Sequence, residues 1–141
     1  ILEKGRLNYS LNGLECPPGE FFKGNAFEYL AWAKKREKLF DIIVLDPPSF
    51  ARFKGFSFNV QRDLDSLVEA SSAVLAPAGF LMVSSNYSAF RLENFAQKAL
   101  NNVKKICGNA QIIWKRSQSA DFVGTGLTKD SSLCAVLIQN L

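Results

Sequence analysis

Residues 41–55 read DIIVLDPPSFARFKG, and the first eight of them decide the fold class. Ile42, Ile43, Val44 and Leu45 form an unbroken apolar run, β-branched at three of its four positions, which predicts a buried strand. Pro47 and Pro48 must end it, because proline offers no N–H to a ladder and biases the preceding residue away from helix. Asp46 is thereby placed at the carboxyl end of a central strand, with the chain forced to turn directly beyond it. An acid so placed either caps the turn through the backbone N–H groups that follow, or it serves a ligand.

Working outward, the flanking sequence alternates between helical and strand-like periods. Leu2 to Asn12 predicts a helix stopped at Asn12-Gly13, and EFFKG, Glu20 to Gly24, reads as a short strand. Asn25, with Glu28 three residues on, is a helix-capping pair, and the helix runs to about Lys38 with Lys34, Lys35, Arg36 and Lys38 at its carboxyl end. Beyond the opening stretch and a loop, Gln61 to Leu75 carries apolar residues at helical spacing, and Pro77 and Gly79 end that helix. Phe80 to Ser85 is a strand, and Ser88 to Cys107 is the longest helix, closed by Lys104, Lys105 and Gly108. Residues 111–115 and 132–139 are the last strands.

Such alternation implies a mostly parallel sheet with helices on both faces. Ligands in such sheets sit beyond the carboxyl ends of the strands. Phe80 to Ser85 should neighbour the strand that ends at Asp46, so Asp46 and Asn86 should face one crevice.

Bulk composition narrows the chemistry. The chain has 141 residues, 48% hydrophobic and 21% charged, which suits one globular domain. Its 17 basic and 13 acidic residues leave a net charge of +4, compatible with a polyanionic partner without requiring one. The sequence contains no histidine, so histidine metal sites and histidine bases are excluded, and no metal is expected. Three cysteines, Cys16, Cys107 and Cys134, lack metal-ligand spacing and read as reduced structural thiols of a cytoplasmic protein. No apolar run approaches the ~20 residues of a membrane span. Gly124-Thr-Gly126 does not open a helix and reads as a turn rather than a phosphate loop.

Five pieces in register, KGNAFEYL, FDIIVLDPPSF, NVQRD, VSSNYSAFRLE and SADF, carry a resemblance over nearly the whole chain. The sequence resembles the C-terminal part of a class I S-adenosylmethionine-dependent RNA methyltransferase. It is most similar to the guanine-N7 methylating half of the bifunctional bacterial large-subunit (23S) rRNA methyltransferase, with the rRNA cytosine-C5 methyltransferases as a sister group. The resemblance implies a Rossmann-like α/β sheet that is only partial here. The family's first strands, glycine-rich cofactor loop and ribose-binding acid should lie upstream of residue 1, and residues 1–141 should form the substrate-side part of a single catalytic domain.

What the resemblance implies about the site starts at Asp46, which should accept a hydrogen bond from a base N–H beside the methyl donor, with Pro47 and Pro48 as a rigid apolar wall. Phe50 either stacks on a flipped base or plugs the loop beneath it. Ser49, Asn86 and Arg62 are further candidate contacts to substrate. Asn25 stands where the family has an aspartate that reaches the adenine amino group of S-adenosylmethionine, with Ala26 beside it; asparagine can accept through its side-chain oxygen. The same Asn25 reads as a plain helix cap. Phe53, Phe56 and Phe58, interleaved with Arg52, Lys54 and Arg62, suit either RNA contact or a lid packed on the core. Lys115, Arg116, Asp121 and Phe122 fall where relatives border RNA, and the first two read rather as surface charge.

Methyl transfer from a sulfonium asks mainly for alignment. Guanine N7 offers a lone pair at neutral pH and needs no base, whereas cytosine C5 requires prior attack at C6 by a cysteine thiolate. Relatives of the C5 type place that cysteine after the strand that here reads LMVSSNYS, where Ser84, Ser85 and Asn86 stand instead. Exocyclic-amine methylation is disfavoured by Ser49, which replaces an aromatic. The expected partner is rRNA rather than a membrane, and another copy of the chain could cover an open sheet edge. The competing reading is a catalytically silent RNA-binding or interaction fragment.

Overall fold

The computed structural model describes residues 2–53, 55–117 and 133–141, without the side chain of Phe53. The elements in chain order are α1 (Leu2–Leu11), α2 (Ala26–Lys35), β1 (Phe40–Leu45), β2 (Phe50–Phe53), β3 (Phe56–Asn59), α3 (Val60–Ser72), β4 (Leu75–Ser85), α4 (Leu92–Cys107), β5 (Ala110–Ser117) and β6 (Cys134–Asn140). Among the described residues no helix is long and apolar enough to cross a membrane.

A four-stranded sheet runs β1-β4-β6-β5. The β1–β4 pair is parallel, and β6 is antiparallel to both β4 and β5. Three of the four strands therefore point one way, giving a mixed sheet with one reversed strand. As expected, Phe80 to Ser85 lies beside the strand of the opening stretch, with Leu45 opposite Val83.

Among the described residues the helices gather on one face of the sheet, which corrects the expectation of helices on both. α2, α3 and α4 contact one another in series, and α3 and α4 pack on the sheet. They bury Leu81, Val83, Val136 and Ile138 to zero exposure, with Leu64, Leu67, Val68, Phe95, Ala99 and Val103 supplied from α3 and α4. Full burial of one such side chain is worth about 1.5–3 kcal/mol. Residues of opposite parity face the other way, and Met82 and Leu137 are only half-buried.

The prediction that Ile42 to Leu45 is a buried strand also needs correcting. β1 is the edge of the sheet, so Ile43 and Leu45 pack against the core while Ile42 and Val44 are 67% and 59% exposed. EFFKG forms no strand either, because a strand needs a ladder partner and none stands beside it among the described residues. Phe21 instead packs edge-on against Tyr9, and Phe22 against Tyr29. α1 forms where expected, stopped at Gly13 with φ of 66°, yet none of its residues is buried.

At the start of β4, Phe40 pairs with Leu75 and Ile42 with Phe80, so Ala76 to Gly79 bulge opposite the single residue Asp41. Pro77 falls inside this bulge, where a missing N–H costs no ladder bond, rather than ending α3, which stops at Ser72. A Cβ at Gly79 would come within 2.8 Å of the Ala76 carbonyl oxygen and 3.0 Å of that of Asp41, so the approach of β1 requires glycine.

Residues after Pro48 form a hairpin where a loop is expected. β2 and β3 make an antiparallel hairpin, with Ala51 opposite Phe58 and Arg52 opposite Ser57, turning through Gly55 at φ of 82°. Asn59 then caps α3 by accepting from the Gln61 N–H at 2.9 Å, and Asp63 Oδ2 accepts from the Asn59 N–H at 2.8 Å. Gly108, at φ of 83°, closes α4 as its sequence position implied.

Candidate functional site

The parallel register of β1 and β4 carries both strands to a common carboxyl edge, where Asp46 meets Ser84. Ser84 Oγ donates to Asp46 Oδ1 at 2.7 Å, and the serine is 6% exposed. Ser49 Oγ donates to Asn86 Oδ1 at 3.2 Å, and the Ser49 carbonyl accepts from the Val60 N–H at 3.0 Å. The Asp46–Pro47–Pro48–Ser49 turn is thus tied on one side to the end of β4 and on the other to the start of α3. Proline removes torsional freedom between those ties.

Asp46 opens onto a cavity of about 360 Å³. One wall is the start of α2, with Asn25, Ala26 and Phe27, and another is Val44 through Pro48. Phe56 and Phe58 of the hairpin close a third side, with the Phe56 ring edge-on to Phe27 at 5.9 Å between centroids. The lining is mostly apolar around one carboxylate, the ordinary make-up of a small-molecule site.

Of the sequence-derived candidates, Asn25, Ala26, Asp46, Pro47 and Pro48 converge on this cavity. Asn25 Oδ1 accepts from the Phe27 N–H at 3.0 Å, so the cap is present; the amide oxygen keeps a second lone pair. Ser49 and Asn86 bond to each other beside the cavity without lining it. Phe50 does not line it either: it lies on the opposite face of β2 from Ala51, which does.

Arg62 points into the hairpin junction. Its guanidinium donates twice to Asp63, each at 2.8 Å, and to the Ser57 carbonyl at 3.1 Å. The Arg62 guanidinium and the Asn59 N–H together hold the Asp63 carboxyl below its ordinary range. Phe56 and Phe58, which the sequence marks only as part of a basic aromatic segment, line the cavity. Lys115 bonds to Glu93 on α4, while Asp121, Phe122, Gly124 and Gly126 lie outside the described residues.

No cysteine lines the cavity. Cys134 Sγ donates to the Phe90 carbonyl and Cys107 Sγ to that of Ser72. Burial pushes both thiols up, away from the thiolate.

No protein-family model matches the chain. Ribosomal RNA large subunit methyltransferase K of Neisseria meningitidis is 32% identical over 108 residues, which is 74% of this chain and 30% of that protein. Ribosomal RNA large subunit methyltransferase K/L of Psychrobacter arcticus is 35% identical over 99 residues, 65% of this chain and 12% of that protein. The chain thus spans less than a third of the length of these relatives. Among solved structures, SMU.776 complexed with SAH superposes with a TM-score of 0.74 at 22% identity, covering 94% of this chain and 34% of that one. A SAM-dependent methyltransferase from Agrobacterium tumefaciens gives 0.66 at 18% identity, covering 95% and 44%. The fold is that of SAM-dependent methyltransferases. Within that methyltransferase fold, the sequence relatives named above are large-subunit rRNA methyltransferases.

Proposed function

We propose that residues 1–141 form the substrate side of an S-adenosylmethionine-dependent methyltransferase domain acting on large-subunit rRNA, with guanine N7 as the methylated atom. The observation that carries this reading is Asp46, held by Ser84 at 2.7 Å, on the wall of an apolar cavity that no cysteine reaches.

The residues present suit part of that cofactor. Asn25 and Ala26, at the start of α2, would receive its adenine, with Asn25 Oδ1 as acceptor for the amino group, and Asp46 would lie beside its sulfonium end. When bound, S-adenosylmethionine supplies an electrophilic methyl group. Its remaining contacts would come from polypeptide outside these 141 residues, which would also cover Ile42 and Val44 at the β1 edge; in the isolated chain a second copy takes that place.

Asp46 accepts a hydrogen bond from a base N–H, and Ser84 fixes the carboxylate that does so. Pro47 and Pro48 flank the ring, and Phe56 keeps water from it. No proton has to leave the target nitrogen, so the chain supplies alignment and an apolar enclosure. The rRNA substrate places the protein in the cytoplasm.

Two measurements test the reading. Titration calorimetry of the 141-residue chain with S-adenosylhomocysteine should give weak or no heat; micromolar binding would overturn the assignment of the other half of the cofactor site to outside polypeptide. Mass spectrometry of rRNA from cells carrying the full-length gene product should locate 7-methylguanine, lost on Asp46→Ala. A 5-methylcytosine product instead sinks the guanine assignment.

A further inference from the structure

The hairpin that closes the cavity has a second face. Cross-strand partners share a face of a two-stranded sheet, so Ala51 and Phe58 look toward the cavity while Phe50, Arg52, Ser57 and Asn59 look away from it. On that outer face the Phe50 ring is 52% exposed, with the Arg52 guanidinium 5.3 Å from its centroid. An apolar ring left in water beneath a cation is poorly explained by packing. Nearby Arg62 gives its Nε and one terminal nitrogen to Asp63, whereas Arg52 makes no ion pair among the described residues. Arg52 is therefore the guanidinium of this hairpin that an incoming anion can meet.

We propose that Phe50 and Arg52 form a stacking platform for single-stranded RNA, receiving the nucleotide adjacent to the one held against Asp46. The inference rests on the RNA methyltransferase reading and adds to it a contact outside the cavity. A base offers a flat ring to stack on Phe50 and a phosphate to pair with Arg52, the two chemistries this face presents. Phe50 follows the cavity wall residue Pro48 by two positions, at most about 7 Å of chain, so neighbouring nucleotides can reach both. A base extruded into the cavity loses its stacking neighbours, and a platform beside the mouth restores one of them.

The test is fluorescence anisotropy of a labelled single-stranded RNA dodecamer with the 141-residue chain and its variants, repeated at several salt concentrations. Phe50→Ala should weaken binding by about tenfold or more, and Phe50→Trp should restore it. Arg52→Gln should lower the salt dependence of log K by about one phosphate contact. RNA binding that neither substitution changes overturns the platform and leaves the methyltransferase reading standing, since that is judged on the methylated product. Absence of RNA binding by the unsubstituted chain overturns the platform as well.

Discussion

Ser84 Oγ lies 2.7 Å from Asp46 Oδ1, joining the residue just beyond β1 to the penultimate residue of the parallel strand β4 through their side chains. A buried hydroxyl that donates to the carboxylate leaves the other carboxylate oxygen to face the cavity in one orientation. Ser84→Ala should lower methyl transfer by the full-length protein about tenfold, through loss of alignment. The same change should cost only about 1 kcal/mol of stability. Paired kinetics and thermal unfolding check this, and Ser84→Thr, which keeps the hydroxyl, should recover most of the rate. A stability loss with unchanged kinetics would show that the bond serves only the fold.

Acid should loosen the hairpin junction. Arg62 and the Asn59 N–H favour the charged form of Asp63, so its folded-state pKa is lowered. A lowered carboxyl pKa contributes stability that is present above the unfolded value, near 3.9, and is lost as pH falls through the folded one. NMR titration should find Asp63 ionising below that value. Asp63→Asn should flatten the acid limb of the stability profile while leaving stability near pH 7 slightly reduced.

Cys107 and Cys134 should resist alkylation in the folded chain. Burial raises both thiol pKa values, and each Sγ donates to a backbone carbonyl. Iodoacetamide at pH 7 followed by peptide mass mapping should label Cys16 well before either. Rapid labelling of Cys134 would revive a cysteine-nucleophile mechanism.

The exposed apolar edge should make the isolated chain associate. Ile42 and Val44, more than half exposed on an edge strand, present both side chains and unpaired backbone. Sedimentation velocity at tens of micromolar should detect a dimer, and Val44→Lys should return a monomer with little change in unfolding temperature. A wild-type chain that stays monomeric at that concentration would remove the second copy from the account.

Much of the local structure was legible because it depends on near neighbours. Asn25 and Asn59 cap helices through bonds to residues two positions away, and Gly108 closes α4 through its own positive φ. The β2–β3 hairpin is written in the sequence too, as the β-prone segments FARF and FSFN on either side of Gly55, with FSFN alternating apolar and polar. Only the hairpin register tells that Phe56 faces the cavity and Phe50 does not.

The sequence by itself determined that a strand ends at Asp46, that Pro47 and Pro48 turn the chain there, and that Ser84, Ser85 and Asn86 rather than cysteine occupy the neighbouring strand end. These follow from torsional limits and side-chain chemistry, which travel with each residue. Only the tertiary structure decided that β1 is an edge, that the helices gather on one face, that Ser84 holds Asp46 and that Phe56 closes the cavity. Each of those depends on which elements become neighbours across long stretches of chain, 38 residues between Asp46 and Ser84, and burial and register belong to the pair rather than to either segment.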